Sequence, residues 1–203
     1  FWTEFGQVVK SGVPMDYENK DKISHLLRYK TTKSDNKEIS LKKYVENMKE
    51  DQKDIYYITG ENLSAIMNSP HLEILKKKGY EVLLMTDPVD EWVTQSLTEY
   101  DGKKLKSAEK GDLDLDKVDD KKKDEYSNLF EFIKSKIEDK VKEVKPSSRL
   151  TDSVSCLAGD DFGMSAYMEK IMKASGQDMP VQKRILELNV NHPVLEKIKT
   201  IFE

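Results

Sequence analysis

DIYYITGENLSAIMNSPHLEILKKKGYEVLLM, Asp54 to Met85, is the stretch whose reading decides the fold. Its two apolar runs, IYYI at Ile55–Ile58 and VLLM at Val82–Met85, are continuous rather than alternating. That is the pattern of parallel strands covered on both faces. Helix signals fill the interval. Asn62 stands at an N-cap; Ser69 and Pro70 end one short helix and start a second at cap and first-turn positions; Gly79 closes that second helix. Asp87-Pro88 then repeats the start signal for a helix carrying Val89, Trp92, Val93 and Leu97. Strand, helices, strand, helix makes an α/β unit.

The turn at Gly60 raises a nucleotide reading, because helix N-termini bind anions and a glycine lets the backbone approach a phosphate. A dinucleotide fingerprint needs three glycines, and ITGENLSA has one. A P-loop ends in Gly-Lys-Ser/Thr, a tripeptide that occurs nowhere in the chain. An ordinary strand-to-helix connection is therefore the first reading. A nucleotide-binding α/β enzyme domain using Gly60 is the alternative.

Working outward, Ile23, Leu26, Leu27 and Lys30 follow helical spacing after Asp16, and Leu41, Tyr44, Val45 and Met48 repeat it after Ser40. Downstream, KSAEKGDLDLDKVDDKKK at Lys106–Lys123 is dense in charge. It divides the chain into a first part, residues 1–106, a charged linker, 107–123, and a second part, 124–203. In the second part Leu129, Phe132, Ile133, Ile137 and Val141 line one helical face. VKEVK, SVSCLA and RILELN read as strands, a helix is predicted over about 161–174, and another begins at Pro193.

Charged residues make up 35% of the 203 and hydrophobic ones 37%, polar for one compact globule but too apolar for disorder. The 34 Lys and Arg are interleaved with 38 Asp and Glu, which argues against a nucleic-acid partner. No apolar run reaches the roughly 20 residues of a membrane-spanning helix. Cys156 is the sole cysteine, as a reducing cytosol permits, so a cytoplasmic location is expected. The chain opens on Phe1-Trp2 inside an amphipathic pattern, without an initiator Met, and reads as an excised piece.

Motifs for catalysis are weak. Asp112, Asp114 and Asp116 imitate the start of a calcium loop, but Lys117 and Lys123 occupy the positions of its glycine and its bidentate glutamate. The DFG of Asp161–Gly163 lacks every other kinase element, and His25, His71 and His192 are too scattered for a metal site. Cys156 in an apolar strand reads as a small buried hydrophobe.

A binding surface is the better prospect. Met164, Tyr167, Met168, Ile171 and Met172 share one helical face, and methionine's pliable thioether lets such a face repack against varied apolar shapes. The same spacing also suits a helix that turns this stripe to its own sheet, in a domain acting only as a rigid spacer. Trp92, beside Asp90 and Glu91, poses the same choice between exposed anchor and core.

KDIYYITGENLSAIMNSPHLEILKKKGYEVLLMTDPVDEW, LTEYDGKKLKS, FWTEFGQVVKSG, LLRYKTT, SLKKYVENMKEDQ, SSRLTDS and LELNVNHPVL together closely resemble the heat-shock protein 90 family in its bacterial form. The resemblance covers nearly the whole chain and is least at residues 105–123. It implies a fold: a small three-layer αβα sandwich, the end of a middle domain, followed by the start of an α+β C-terminal domain without its dimerisation helices. It also implies a function, a client-binding scaffold segment of an ATP-dependent chaperone that assists the folding of non-native proteins. The parent would be a homodimer using ATP and magnesium at sites outside this chain and meeting co-chaperones of the bacterial cytosol. The segment alone would be a monomer with no cofactor and no ATPase. Carried over by position, the client-contacting residues would be Glu91, Trp92 and Gln95 in the first part and Met164, Met168, Ile171 and Met172 in the second.

Overall fold

The computed structural model describes residues 1–177, 180 and 182–203 and divides into two compact units. The first comprises residues 1–68 and 78–108, the second residues 69–77 and 109–203. In chain order the elements begin with α1 (Trp2–Met15), α2 (Lys20–Ser24), β1 (Arg28–Thr31), β2 (Ile39–Ser40), α3 (Leu41–Asn47), β3 (Ile55–Thr59) and α4 (Leu63–Met67). A 3₁₀ turn (Pro70–Leu72), α5 (Glu73–Lys78), β4 (Val82–Met85), α6 (Asp90–Ser96), β5 (Glu99–Tyr100) and β6 (Lys103–Ser107) follow. The chain ends with α7 (Asp120–Lys136), β7 (Val141–Pro146), β8 (Ser155–Ala158), α8 (Ala166–Ala174), β9 (Arg184–Leu188) and α9 (Pro193–Phe202).

The first unit is built on a mixed sheet of order β2-β1-β4-β3-β6-β5. β3 runs parallel to β4 and to β6, with Tyr57 opposite Leu83, and every residue of β3 and β4 is buried. The continuous apolar runs thus became central parallel strands, as expected. On one face Ile55, Tyr57, Leu83 and Met85 pack with Val13, Leu41, Tyr44, Val93 and Leu97 from helices α1, α3 and α6 and the loop after α6. α4 lies against β4. Asn62 caps α4, its side chain accepting the Ala65 N–H at 2.9 Å.

One expected helix is corrected. The spacing of Ile23, Leu26, Leu27 and Lys30 predicts a helix through Lys30, yet α2 ends at Ser24 and Arg28–Thr31 is strand β1. Its residues alternate, Tyr29 and Thr31 facing inward, and it pairs antiparallel with β4 at Lys30–Leu84 and Thr31–Leu83. Sheet hydrogen bonding along a buried neighbour outweighs a two-turn coincidence of spacing.

In the second unit three strands take the order β7-β9-β8, β7 parallel and β8 antiparallel to β9. VKEVK, SVSCLA and RILELN therefore are the strands, as read. Tyr126, Leu129 and Phe130 of α7 close a core with Val141, Val144, Leu188, Val190 and Leu195. Phe132, expected on that buried face, is instead 45% exposed, and Val141 belongs to β7. Residues 107–123, expected as a charged linker, bury Ala108 and Leu113, and α7 already begins at Asp120. Arg149, fully buried, pairs with Glu187 at 2.8 and 3.1 Å and also donates to the Gly111 carbonyl. His192 caps α9 by accepting the Val194 N–H at Nδ1.

Candidate functional site

α6 starts after the Asp87-Pro88 turn. The Asp87 carbonyl accepts the Asp90 N–H, and the Asp90 carboxylate accepts the Asp87 N–H at 3.1 Å. A buried cation completes this end of the helix. Lys10 of α1 places Nζ 2.7 Å from Asp87, 2.9 Å from Asp90 and 4.4 Å from the centre of the Tyr29 ring. Burial pushes the Asp90 carboxyl up to about 6, with Lys10 pulling it down and Asp87 pushing it further up. These contacts fix the helix's rotation. Val93 and Leu97 go inward, whereas Trp92 is 37% exposed and Gln95 is exposed one turn on. Glu91, named with these two, is 2% exposed and so is closed off from solvent.

α8 begins later than the spacing implied. Ser165 is its cap, accepting the Met168 N–H at 2.8 Å, so Asp161–Met164 precede the helix. Met164 precedes the helix with its backbone pinned at both polar atoms: its N–H donates to Gln182 and its carbonyl accepts from Arg184 at 2.7 Å. Arg184 also holds Glu169 at 2.5 Å, which ties α8 to β9. Met168, at the centre of the stripe, is 6% exposed. Met164, Ile171 and Met172 are half-buried. The stripe is thus neither wholly open, as a pure binding ridge would be, nor wholly sealed, as the spacer reading requires.

One aromatic escaped the sequence reading. Phe162, set aside with the chance DFG, is 104% exposed on a turn closed by the Gly163 N–H to the Asp160 carbonyl. Its only signal was an aromatic among turn-forming residues.

Elsewhere the chemistry is structural. Cys156 is buried, and burial, then the charge of Glu187, pushes its thiol up to about 12, which leaves it protonated and unreactive. A Cβ on Gly60 would overlap Cγ2 of Ile66 in α4, and the Gly60 N–H already donates to the Met85 carbonyl. The packing of Ile66 against this glycine accounts for the residue without a ligand. Asp112 accepts from the Asp114 N–H and the Ser148 hydroxyl, both at 3.1 Å. Among the described residues no helix is long and apolar enough to cross a membrane, and no cluster of three His, Cys, Asp or Glu is placed to hold a metal.

A parallel-centred α/β unit is followed by a three-stranded α/β unit, and each carries apolar side chains on a short helix. The Hsp90 protein family model matches residues 1–203, and the chain belongs to that family. In particular it is similar to the bacterial proteins named chaperone protein HtpG. That of Geobacter sulfurreducens is 49% identical over 212 residues, covering 100% of this chain and 33% of the relative. That of Mycobacterium leprae is 46% identical over 213 residues, covering 100% and 32%. The chain thus spans about a third of the length of the curated relatives it matches. Among solved structures, the middle domain of a Plasmodium falciparum heat shock protein is similar with a TM-score of 0.52 and 43% identity, covering 54% of this chain and 48% of that one.

Proposed function

We propose that this chain supplies client-binding surface to an ATP-dependent chaperone that assists the folding of non-native proteins. The observation that supports this best is apolar surface left open on helices whose backbones are held: Trp92 beside Gln95 on α6, and Met164, Ile171 and Met172 around α8. Partly folded chains expose apolar segments, and covering them yields about 25 cal/mol per Å² removed from water. A pinned backbone carrying pliable thioethers suits this task, because little order is lost on binding while the side chains adapt to each partner.

On this reading ATP and magnesium act in parts of the full-length protein beyond residues 1–203, and dimerisation involves its C-terminal helices. The segment alone is a monomer with no ATPase, cytoplasmic in location, with co-chaperones but neither nucleic acid nor membrane as partners. Family membership and the close packing of Ile66 against Gly60 count against the nucleotide-enzyme alternative.

In the full-length protein, Trp92→Ser and Met172→Ser should each weaken suppression of the aggregation of a heat-denatured client several-fold without lowering the chaperone's own thermal midpoint. Unchanged suppression by the double variant would refute the reading. Calorimetric titration of residues 1–203 with ATP tests the alternative, since micromolar binding would revive it.

A further inference from the structure

The second unit contains a cavity of about 330 Å³, at the lower end of the range for small-ligand sites. Its lining is mostly polar, with Ile74 and Leu150, both buried, and half-buried Val118 as the apolar part. Two of its wall residues are fully committed to the fold. The Ser147 hydroxyl donates to Glu187 and accepts the N–H groups of Arg149 and Leu150. The Asn189 amide donates to the carbonyls of Thr151 and Ser153, and its oxygen takes the Asn191 N–H. These bonds hold the shape of the cavity in advance of any occupant.

Of the other polar lining groups, the Ser148 hydroxyl donates to Asp112 and the Thr151 hydroxyl to Asp152, whereas three donors are uncommitted. Neither the Lys77 nor the Lys117 ammonium makes a hydrogen bond or ion pair among the described residues, although Lys117 feels the charge of Asp120. The Asn191 amide nitrogen is likewise unbonded, its oxygen being occupied by Lys122. One carboxylate, Asp116, shares the lining, so cations exceed anions by two to one. The stretch that imitates a calcium loop thus contributes Asp116, Lys117 and Val118 to a pocket with net positive charge. Its chemistry is the reverse of a cation site.

We propose that this cavity binds a small phosphomonoester, the phosphate meeting Lys77, Lys117 and the Asn191 amide and the organic group lying on Ile74, Leu150 and Val118. A phosphate monoester carries close to two negative charges at neutral pH and several strong acceptors, which suits ammonium groups acting as point charges. Carboxylates carry less charge and fewer acceptors. The three apolar side chains add affinity for an ester over the bare ion. This site is independent of the client-binding reading.

The test is titration of the ¹⁵N-labelled chain with phenyl phosphate, inorganic phosphate and benzoate, followed by amide chemical shifts. Phenyl phosphate should shift the signals of Ser148, Thr151 and Asn191, with affinity about tenfold above that of either other probe. Lys77→Met and Lys117→Met should each weaken it about tenfold. Asn191→Asp keeps the acceptor that Lys122 uses but puts a negative charge in the site, so it should abolish binding even if a lysine variant folds poorly. No shift at these residues, equal affinity for all three probes, or shifts spread over lysines across the surface would overturn the proposal. So would binding that survives Asn191→Asp.

Discussion

Removing the Glu73 carboxylate should destabilise the second unit more than removing any exposed ion pair. Glu73 opens α5, and its two oxygens take the N–H groups of Thr151 at 2.6 Å, Asp152 at 2.8 Å and Ser153 at 3.1 Å, together with the Ser153 hydroxyl. Hydrogen bonds to a charged acceptor are each worth about 1.5–3 kcal/mol. They share one carboxylate and Asp152 is exposed, so water replaces part of the loss. Glu73→Ala should therefore cost on the order of 3 kcal/mol. With m of about 1–2 kcal/mol per molar urea, the midpoint falls by about 2 M, read from the amide signals of β7 to β9. The sign with pH follows from the same contacts. Burial alone would raise the Glu73 carboxyl, but the Ser153 hydroxyl and the three amides outweigh it and hold it below the usual carboxylate range. Its stabilisation is present above the unfolded value near 4.3 and is lost as pH falls through the lower folded value. The gap between wild type and Glu73→Ala should narrow below about pH 4. A midpoint that moves by less than about 0.3 M at neutral pH, or a gap that stays constant into acid, would refute the reasoning.

His71, buried with Nδ1 unbonded, is held down to about 4 by burial and by the charge of Arg149, against the pull of Glu73. The unfolded chain binds its proton more tightly, so stability should fall as pH drops from about 6.5 toward 4, and His71→Gln should flatten that part of the pH profile of thermal unfolding. Asp90 acts in the opposite sense. Its folded carboxyl lies near 6, above the unfolded value, so its contribution is full below about pH 4 and lost as pH rises through 6; Asp90→Asn should remove that slope. Lys10→Met strands two carboxylates, one of them fully buried, and should cost about 3–5 kcal/mol by urea denaturation. Gly60→Ala, meeting Ile66, should cost about 1–3 kcal/mol. Combined with Ile66→Ala it should be less harmful than the sum of the two, and strict additivity would show that the overlap is relieved elsewhere.

What was legible in the chain was whatever depended on neighbours within a few residues. IYYI and VLLM declared themselves as buried parallel strands because each residue in such a strand faces a covered side, and Asn62 caps α4 with its own side chain as read, whereas the cap of α8 at Ser165 was missed and its start placed about five residues early. β1 was hidden because its four residues follow a helical remnant, and only pairing with β4 reveals them. Residues 69–77 lie between two strands of the first unit in sequence yet cluster with the second. The contacts responsible, Glu73 with Thr151–Ser153 and the Ile74 N–H with the Arg149 carbonyl, span 75 to 80 positions and leave no local pattern. The candidate site shows the same limit. Helical spacing put Met164, Tyr167, Met168, Ile171 and Met172 on one face; Met164 falls before the helix, and within α8 burial is uneven. Met168 is covered, while its neighbours on that face remain half-open. Glu91 is the sharper case. Nothing within α6 distinguishes its exposure from that of Gln95; the rotation of the helix does, and that rotation is set by Lys10, 80 residues away from Asp90, reaching a carboxylate that no local rule would bury. A surface inferred from spacing therefore identifies which side chains share a helix face, and the distant ion that anchors the helix determines which of them a partner can touch.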